Sequence, residues 1–359
     1  MVSDTLLARE RVLAFRLARH HVTERAPDAA TAAFPGLQDT PPGSAGAALA
    51  ARADVGPEAL DDLVVVPSLR GAATAVALED LAMFTLGLEP SDEDEAKHLT
   101  GNAFKDLDEH TALEALDVAS EAVRDVLAGG PLVKTEFHRA LTERVPEDLR
   151  RWCKGCGEHH VHPSLWRATS IRGVLAIVGR EGRSPVFGAP PPAPYVDDPG
   201  GALARRYLQV HGPSTPLLFR YWGSLTLPHA KRLLARAGEL AQVGDGWVLA
   251  EDAALEAPEP EGARLLPNLD PLASAKDREI LVPDESVRKR IWASLGGPGM
   301  ALVNGEVAGL WRPRKKGARL VVELEPLRTL SASERDGLAA EAERLAPFRG
   351  AEHAELALR

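Results

Sequence analysis

Apolar residues recur three and four apart over Arg9–Ala18, Val118–Leu127 and Leu203–Val210, which predicts an amphipathic helix at each stretch. Shorter helices are expected at Ala29–Phe34, Ser44–Arg52, Glu136–Arg144, Pro163–Arg172, Pro216–Trp222 and Pro228–Ala237. Pro163 and Pro228 suit a first helical turn, where a missing N–H costs nothing. Strand-like runs flank short turns at three places. Leu63–Ser68 and Ala72–Ala77 enclose Arg70-Gly71, Val174–Val178 and Pro185–Phe187 enclose a Gly-Arg-Glu-Gly-Arg turn, and Glu239–Val243 and Trp247–Ala250 enclose Gly244-Asp245-Gly246. Beyond about Arg264 strands dominate. Ala301–Val303 and Glu306–Trp311 join through Asn304-Gly305, Arg319–Pro326 alternates as a further strand, and Glu334–Leu345 closes as a helix.

The chain repeats itself. Arg124–Phe137 and Arg206–Phe219 share an Arg, five residues, Gly-Pro, five residues and a Phe. In each copy Gly-Pro stops a helix, two further helices follow, and a hairpin comes last. Three short helices and a hairpin make the winged-helix plan, in which the third helix enters the major groove of DNA and the hairpin touches the backbone. The expected fold class is α+β, mainly helical, with three tandem winged-helix units at residues 1–90, 91–195 and 196–262. A C-terminal β-rich subdomain, a small sheet or partial barrel, takes residues 263–359. Ser91–Glu95 and the proline-dense Ala189–Gly201 are expected linkers.

Composition fits a folded chain: 359 residues are 45% hydrophobic and 26% charged. The net charge of −10 argues against indiscriminate polyanion binding, yet Arg and Lys gather at 144–154, 167–183 and 312–319, which allows one basic face. With no apolar run of roughly 20 residues and no leader-like N-terminus, the expected place is the cytoplasm, in association with the nucleoid, with no membrane partner. The two cysteines, Cys153 and Cys156, stand three apart, a spacing for metal or for nothing special rather than a disulfide framework.

Ala33–Ala45, Ser68–Gly71, Arg206–Pro213, Leu265–Pro271 and Val303–Gly317 carry a resemblance over nearly the full length. The sequence resembles the winged-helix DNA-binding family that includes the AlkZ-like and YcaQ-like DNA glycosylases, which excise alkylated bases and unhook interstrand crosslinks. The resemblance implies a catalytic Gln-x-Gln or Gln-x-Asp motif whose second side chain directs water to the anomeric carbon. Here the motif is Gln38-Asp39-Thr40. Gln38 matches and Thr40 departs, because a hydroxyl carries no charge to steady a cationic sugar. Asp39 is a carboxylate one residue early. Alternatively, the segment is a turn capping the helix that starts near Ser44.

Cys153, Cys156, His159 or His160, and His162 crowd into ten residues and could complete a structural zinc tetrahedron; a β-strand and turn account for the segment equally well. No other cofactor is expected. For double-stranded DNA the candidate contacts are Arg70, then Arg167 and Arg172 on the third helix of the middle unit. Arg180 and Arg183 at its hairpin tip and a basic hairpin turn of Arg312, Arg314, Lys315 and Lys316 complete the set.

Two functions follow. One is a monofunctional glycosylase, working as a monomer on alkylated or crosslinked duplex. The other is a non-catalytic DNA-binding protein, a damage binder or regulator. A protein-interaction scaffold is a third class.

Overall fold

Several helices of this chain start where a short polar side chain reaches forward to an orphaned backbone amide. The computed structural model describes residues 2–101, 109–293 and 296–359, with side chains from Arg9 onward. Its first elements are α1 (Val2–Arg19), α2 (Ala29–Ala32), β1 (Leu37–Gln38), α3 (Ser44–Arg52), β2 (Val64–Pro67), β3 (Ala73–Val76), α4 (Leu81–Phe84) and α5 (Glu93–Thr100). Then come α6 (Ala112–Leu127), β4 (Leu132–Val133), α7 (Lys134–Arg144), β5 (Arg150–Cys153), β6 (Glu158–Val161), α8 (Pro163–Ala168), β7 (Ala176–Glu181) and β8 (Ser184–Gly188). Next are α9 (Pro199–His211), α10 (Pro216–Gly223), α11 (Leu227–Leu234), β9 (Leu240–Val243), β10 (Gly246–Leu249), β11 (Ala263–Leu266) and α12 (Glu285–Ile291). The last are β12 (Gly299–Val303), β13 (Glu306–Lys316), β14 (Arg319–Pro326), α13 (Ala332–Phe348) and β15 (His353–Leu358). Asp28, Asp92 and Thr226 cap α2, α5 and α11, while Thr111 and Ser331 form reciprocal capping boxes with Glu114 and Glu334 at α6 and α13.

The chain is mixed α+β, and the helices and hairpins read from periodicity are present with shifted ends. α2 stops at Ala32 rather than Phe34, and α8 stops at Ala168, after which Thr169–Arg172 tightens into a 3-10 turn ended by Gly173 in the left-handed conformation. The acidic segment at 91–95 is not a linker: Glu93, Asp94 and Glu95 form the first turn of α5, where carboxylates oppose the positive end of the helix dipole. No helix among the described residues is long and apolar enough to cross a membrane.

The polypeptide packs as two compact units that are not consecutive in sequence. One comprises residues 1–63, 206–218 and 239–359; the other comprises 64–205 and 219–238. In the first, a five-stranded sheet runs β11-β12-β13-β14-β15, antiparallel except for the parallel pair β14–β15, with a bulge between Ala301 and Leu302 that curls it. Strand alternation divides its side chains. Ala301, Val303, Trp311, Val322 and Leu324 face α3 and α13, whereas Met300, Leu302 and Leu310 face Leu13 and Leu17 of α1 and Ile291 of α12. Trp311 donates its ring N–H to the Leu266 carbonyl at 2.9 Å, and it fits because position 299 is glycine: a Cβ there would lie 2.5 Å from that nitrogen.

In the second unit the strands order as β3-β2-β7-β8-β4. Phe137 of α7, Trp166 of α8 and Phe187 of β8 pack mutually, with ring centroids 4.9 to 5.7 Å apart, and form the centre of its core. The sequence repeat has a shared structural meaning. In each copy the residues after Gly-Pro bond to the second strand of the hairpin that follows: Leu132 and Val133 pair with Phe187 and Val186, and Ser214 pairs with Trp247.

Candidate functional site

In the first unit the Gln38-Asp39-Thr40 motif is built on the entry to α3. Leu37 is fully buried and anchors the short strand, and the backbone then turns through a cis Thr40–Pro41 peptide. Gln38 Nε2 donates to the Thr40 carbonyl at 3.2 Å, folding its side chain along the turn. Asp39 Oδ1 accepts the amides of Gly43 at 2.7 Å and Ala45 at 3.2 Å, so the carboxylate supplies the cap that Gly43 cannot. All nine residues of α3 are buried, which makes this turn a rigid base for its neighbours.

One cation stands at the motif and another on Phe34 just before it. Arg349, just past the end of α13, has its guanidinium in the field of the Asp39 carboxylate, which opposes the lowering of the Arg349 pKa by burial. Arg206 lies over the Phe34 ring at 3.7 Å and donates to the Phe34 carbonyl at 2.6 Å. Sequence reasoning did not single out Arg349. It is more than three hundred positions from the motif, and only the packing of α13 on α3 carries it there.

Basic side chains converge in the second unit. The β2–β3 turn places Arg70 (φ 57°) and Gly71 (φ 66°) in the left-handed region. A Cβ on Gly71 would lie 4.0 Å from Cδ of Arg167, so the tip of one hairpin and the last turn of α8 are neighbours. Arg70 and Arg167 line one small cavity of about 160 Å³ with Ser164 and Ser224. Arg167 leans over the Trp166 ring at 5.1 Å, and Arg70 donates to the Trp222 carbonyl at 2.5 Å. Two arginines beside hydroxyls form a pocket suited to a phosphate oxygen.

The other candidates are placed differently. Arg172 is tied within the unit, with ion pairs to Glu89 at 3.0 Å and Asp117 at 2.9 Å. Arg180 and Arg183 stand exposed at the tip of the β7–β8 hairpin. Arg312, Arg314, Lys315 and Lys316 are exposed, but they occupy the end of strand β13 rather than the turn itself, which is Gly317-Ala318. On that strand Arg312 donates to the Gly296 carbonyl at 2.7 Å and Arg314 pairs with Glu323 at 3.7 Å. A larger cavity of about 730 Å³ in the first unit is bordered by Arg11 and by Glu10, Glu256, Glu259 and Glu306, the last paired with Arg9, so that acidic groups outnumber basic ones on its border.

The cysteine–histidine segment is the β5–β6 hairpin. Cys153, Cys156 and His160 have ligand atoms within 4.8 Å of one another. His159 instead pairs with Trp152 across the strands, ring centroids 5.2 Å apart, and His162 caps α8 by accepting the Ser164 amide at 3.2 Å.

These elements in this order define an AlkZ-type α+β fold. The structure superposes on that of the Streptomyces sahachiroi DNA glycosylase AlkZ with a TM-score of 0.72, over 98% of this chain and 99% of that one, at 21% sequence identity. Residues 31–348 match the family described as DNA glycosylase AlkZ-like, and the chain belongs to that family. No curated protein sequence matches it.

Proposed function

We propose that this protein is a monofunctional DNA glycosylase that acts on duplex DNA carrying alkylated or crosslinked bases, with Gln38 and Thr40 directing water to the anomeric carbon. The observation that carries this reading is the turn at Asp39. Its carboxylate is bonded to two amides at the head of buried α3, which holds the residues on either side in fixed positions. Family membership supports the class of reaction.

In the reaction the C1′–N bond breaks and its electron pair leaves with the base. The water oxygen bonds to C1′ and its proton passes to solvent. A purine alkylated at N7 is already cationic, so it departs neutral and needs no general acid. Neutral groups such as an amide and a hydroxyl then have only to orient water beside an oxocarbenium-like sugar. No lysine lies in the motif, so a covalent Schiff base is not part of the mechanism.

The helix–hairpin segments 1–90, 91–195 and 196–262 act in this reading as winged helices along the duplex, and a single copy suffices. Arg70 and Arg167 hold phosphate, Arg180 and Arg183 touch the backbone from a wing, and the basic end of β13 adds charge. Base excision of this kind takes no cofactor, and a DNA-directed protein of this build belongs with the nucleoid in the cytoplasm.

Incubation with duplex containing 7-methylguanine tests the reading. Abasic sites are expected with the unaltered protein and not with Gln38→Ala; equal yields from both would remove the enzymatic role. A second reading, a damage binder without catalysis, is favoured by the uncharged Thr40. Salt-sensitive binding without abasic product identifies it, and no salt-sensitive binding at all leaves a scaffold for proteins.

A further inference from the structure

The β5–β6 hairpin presents sulfur and imidazole donors that base excision does not use. Its strands pair from Arg150 with Val161 to Cys153 with Glu158, leaving Lys154–Gly157 as the turn. The amides of Cys156 and Gly157 donate to the Cys153 carbonyl at 3.2 and 2.8 Å, and Gly157 (φ 71°) completes the reversal in the left-handed region.

Strand parity selects the third donor. Residues opposite each other or two apart share a face, so His160, paired with Arg151, lies on the side of Cys153, while His159 lies on the side of Trp152. His160 Nδ1 donates to the Val161 carbonyl at 2.9 Å, which leaves the Nε2 lone pair as the ligand. Metal-bound imidazoles are held in this way, with the second nitrogen on a carbonyl or carboxylate. Beneath it sits His138, its ring 5.7 Å from that of His160 and its Nε2 buried without a partner.

We propose that Cys153, Cys156 and His160 bind one zinc ion, with water in the fourth position. Ligands at about 2.3 Å for sulfur and about 2.0 Å for nitrogen stand roughly 3.5–3.8 Å apart around a tetrahedron, so donors already within 4.8 Å close by small rotations on an exposed turn. Two thiolates and an imidazole are soft donors that select zinc over magnesium or calcium. Charge balances: two thiols lose their protons to solvent, and the two thiolates neutralise the dication. The hairpin leads directly into α8, so the ion fixes the segment that presents Arg167.

Cobalt titration of the full-length reduced protein is the experiment, followed by displacement with zinc. One equivalent is expected to bind, with a near-ultraviolet thiolate-to-cobalt band and tetrahedral visible bands, and zinc addition to the metal-free protein is expected to release protons. Cys153→Ser, Cys156→Ser and His160→Ala should each lose stoichiometric binding, with the thiolate band at most half as strong in the two serine variants, while His159→Ala and His162→Ala retain it. Circular dichroism of each variant separates loss of a ligand from loss of the fold. Absence of the bands in the unaltered protein, or their survival at full intensity in Cys156→Ser, overturns the proposal, as does dependence on His162 in place of His160.

Discussion

Arg52 and Asp270, 218 residues apart, form a two-point ion pair at 2.6 and 2.8 Å with neither side chain exposed to solvent. Each partner has a second tie, since Arg52 donates to the Ala48 carbonyl and Asp270 accepts the Leu272 amide. The pair joins α3, which follows the Gln38 motif, to the turn after β11. Removing one member strands the other charge in the interior, at a cost of about 3–5 kcal/mol. Asp270→Asn is therefore expected to lower the urea midpoint strongly, and a shift equivalent to less than 1 kcal/mol would contradict this account.

The cap supplied by Asp39 gives a smaller effect. Asp39→Ala removes two amide partners at the head of α3 and should destabilise the protein by about 1–2 kcal/mol. Asp39→Asn keeps an acceptor oxygen and should recover most of that loss. Thermal denaturation of the two variants makes the comparison; an Asn variant no better than Ala would mean that the carboxylate charge, in the field of Arg349, is what matters.

For DNA, the pocket between the β2–β3 turn and α8 predicts a difference in salt dependence. Arg70→Ala and Arg167→Ala should each reduce the slope of log K against log salt by about 0.9, the value for one phosphate contact. Arg172→Ala should leave that slope nearly unchanged and lower stability instead, because its guanidinium serves Glu89 and Asp117. Fluorescence anisotropy across a salt series reads both.

Acid should weaken the fold in two stages. Burial lowers His138 and His229 to about 4, and burial next to His211 holds His20 well below the usual imidazole range. Unfolded imidazoles take up protons near pH 6.5 while these folded ones do not, so stability is full above pH 6.5 and falls as the pH drops toward 4. For His229 the loss at pH 5 is about 2 kcal/mol. Glu95 acts in the same sense at lower pH. Burial raises it, but the two hydrogen bonds from Arg232, the Ser91 amide and the His229 charge outweigh that and hold it at about 2. Its contribution is present above pH 4.5 and disappears as the pH falls from 4.5 toward 2. His229→Gln should reduce the first stage and move the second to higher pH, because Glu95 loses a neighbouring charge; an unchanged profile between pH 6.5 and 4 would refute the assignment.

Much of the local structure was fixed by the chain's own pattern. Helical spacing located α1, α6 and α9, Gly-rich turns between apolar runs located the β2–β3, β7–β8, β9–β10 and β12–β13 hairpins, and the Gly-Pro repeat marked two equivalent arrangements. These features depend on neighbours a few residues away, which is why periodicity and turn chemistry reveal them. What lay beyond the sequence was the meeting of distant residues and the direction of each side chain. Arg349 beside Asp39, Arg167 beside Arg70 and Asp270 around Arg52 each require long loops of chain to close, and no local preference encodes such closures. Even within one hairpin, the choice of His160 over His159 or His162 rested on strand register and on where α8 begins. A slip of one residue would have turned every donor to the other face.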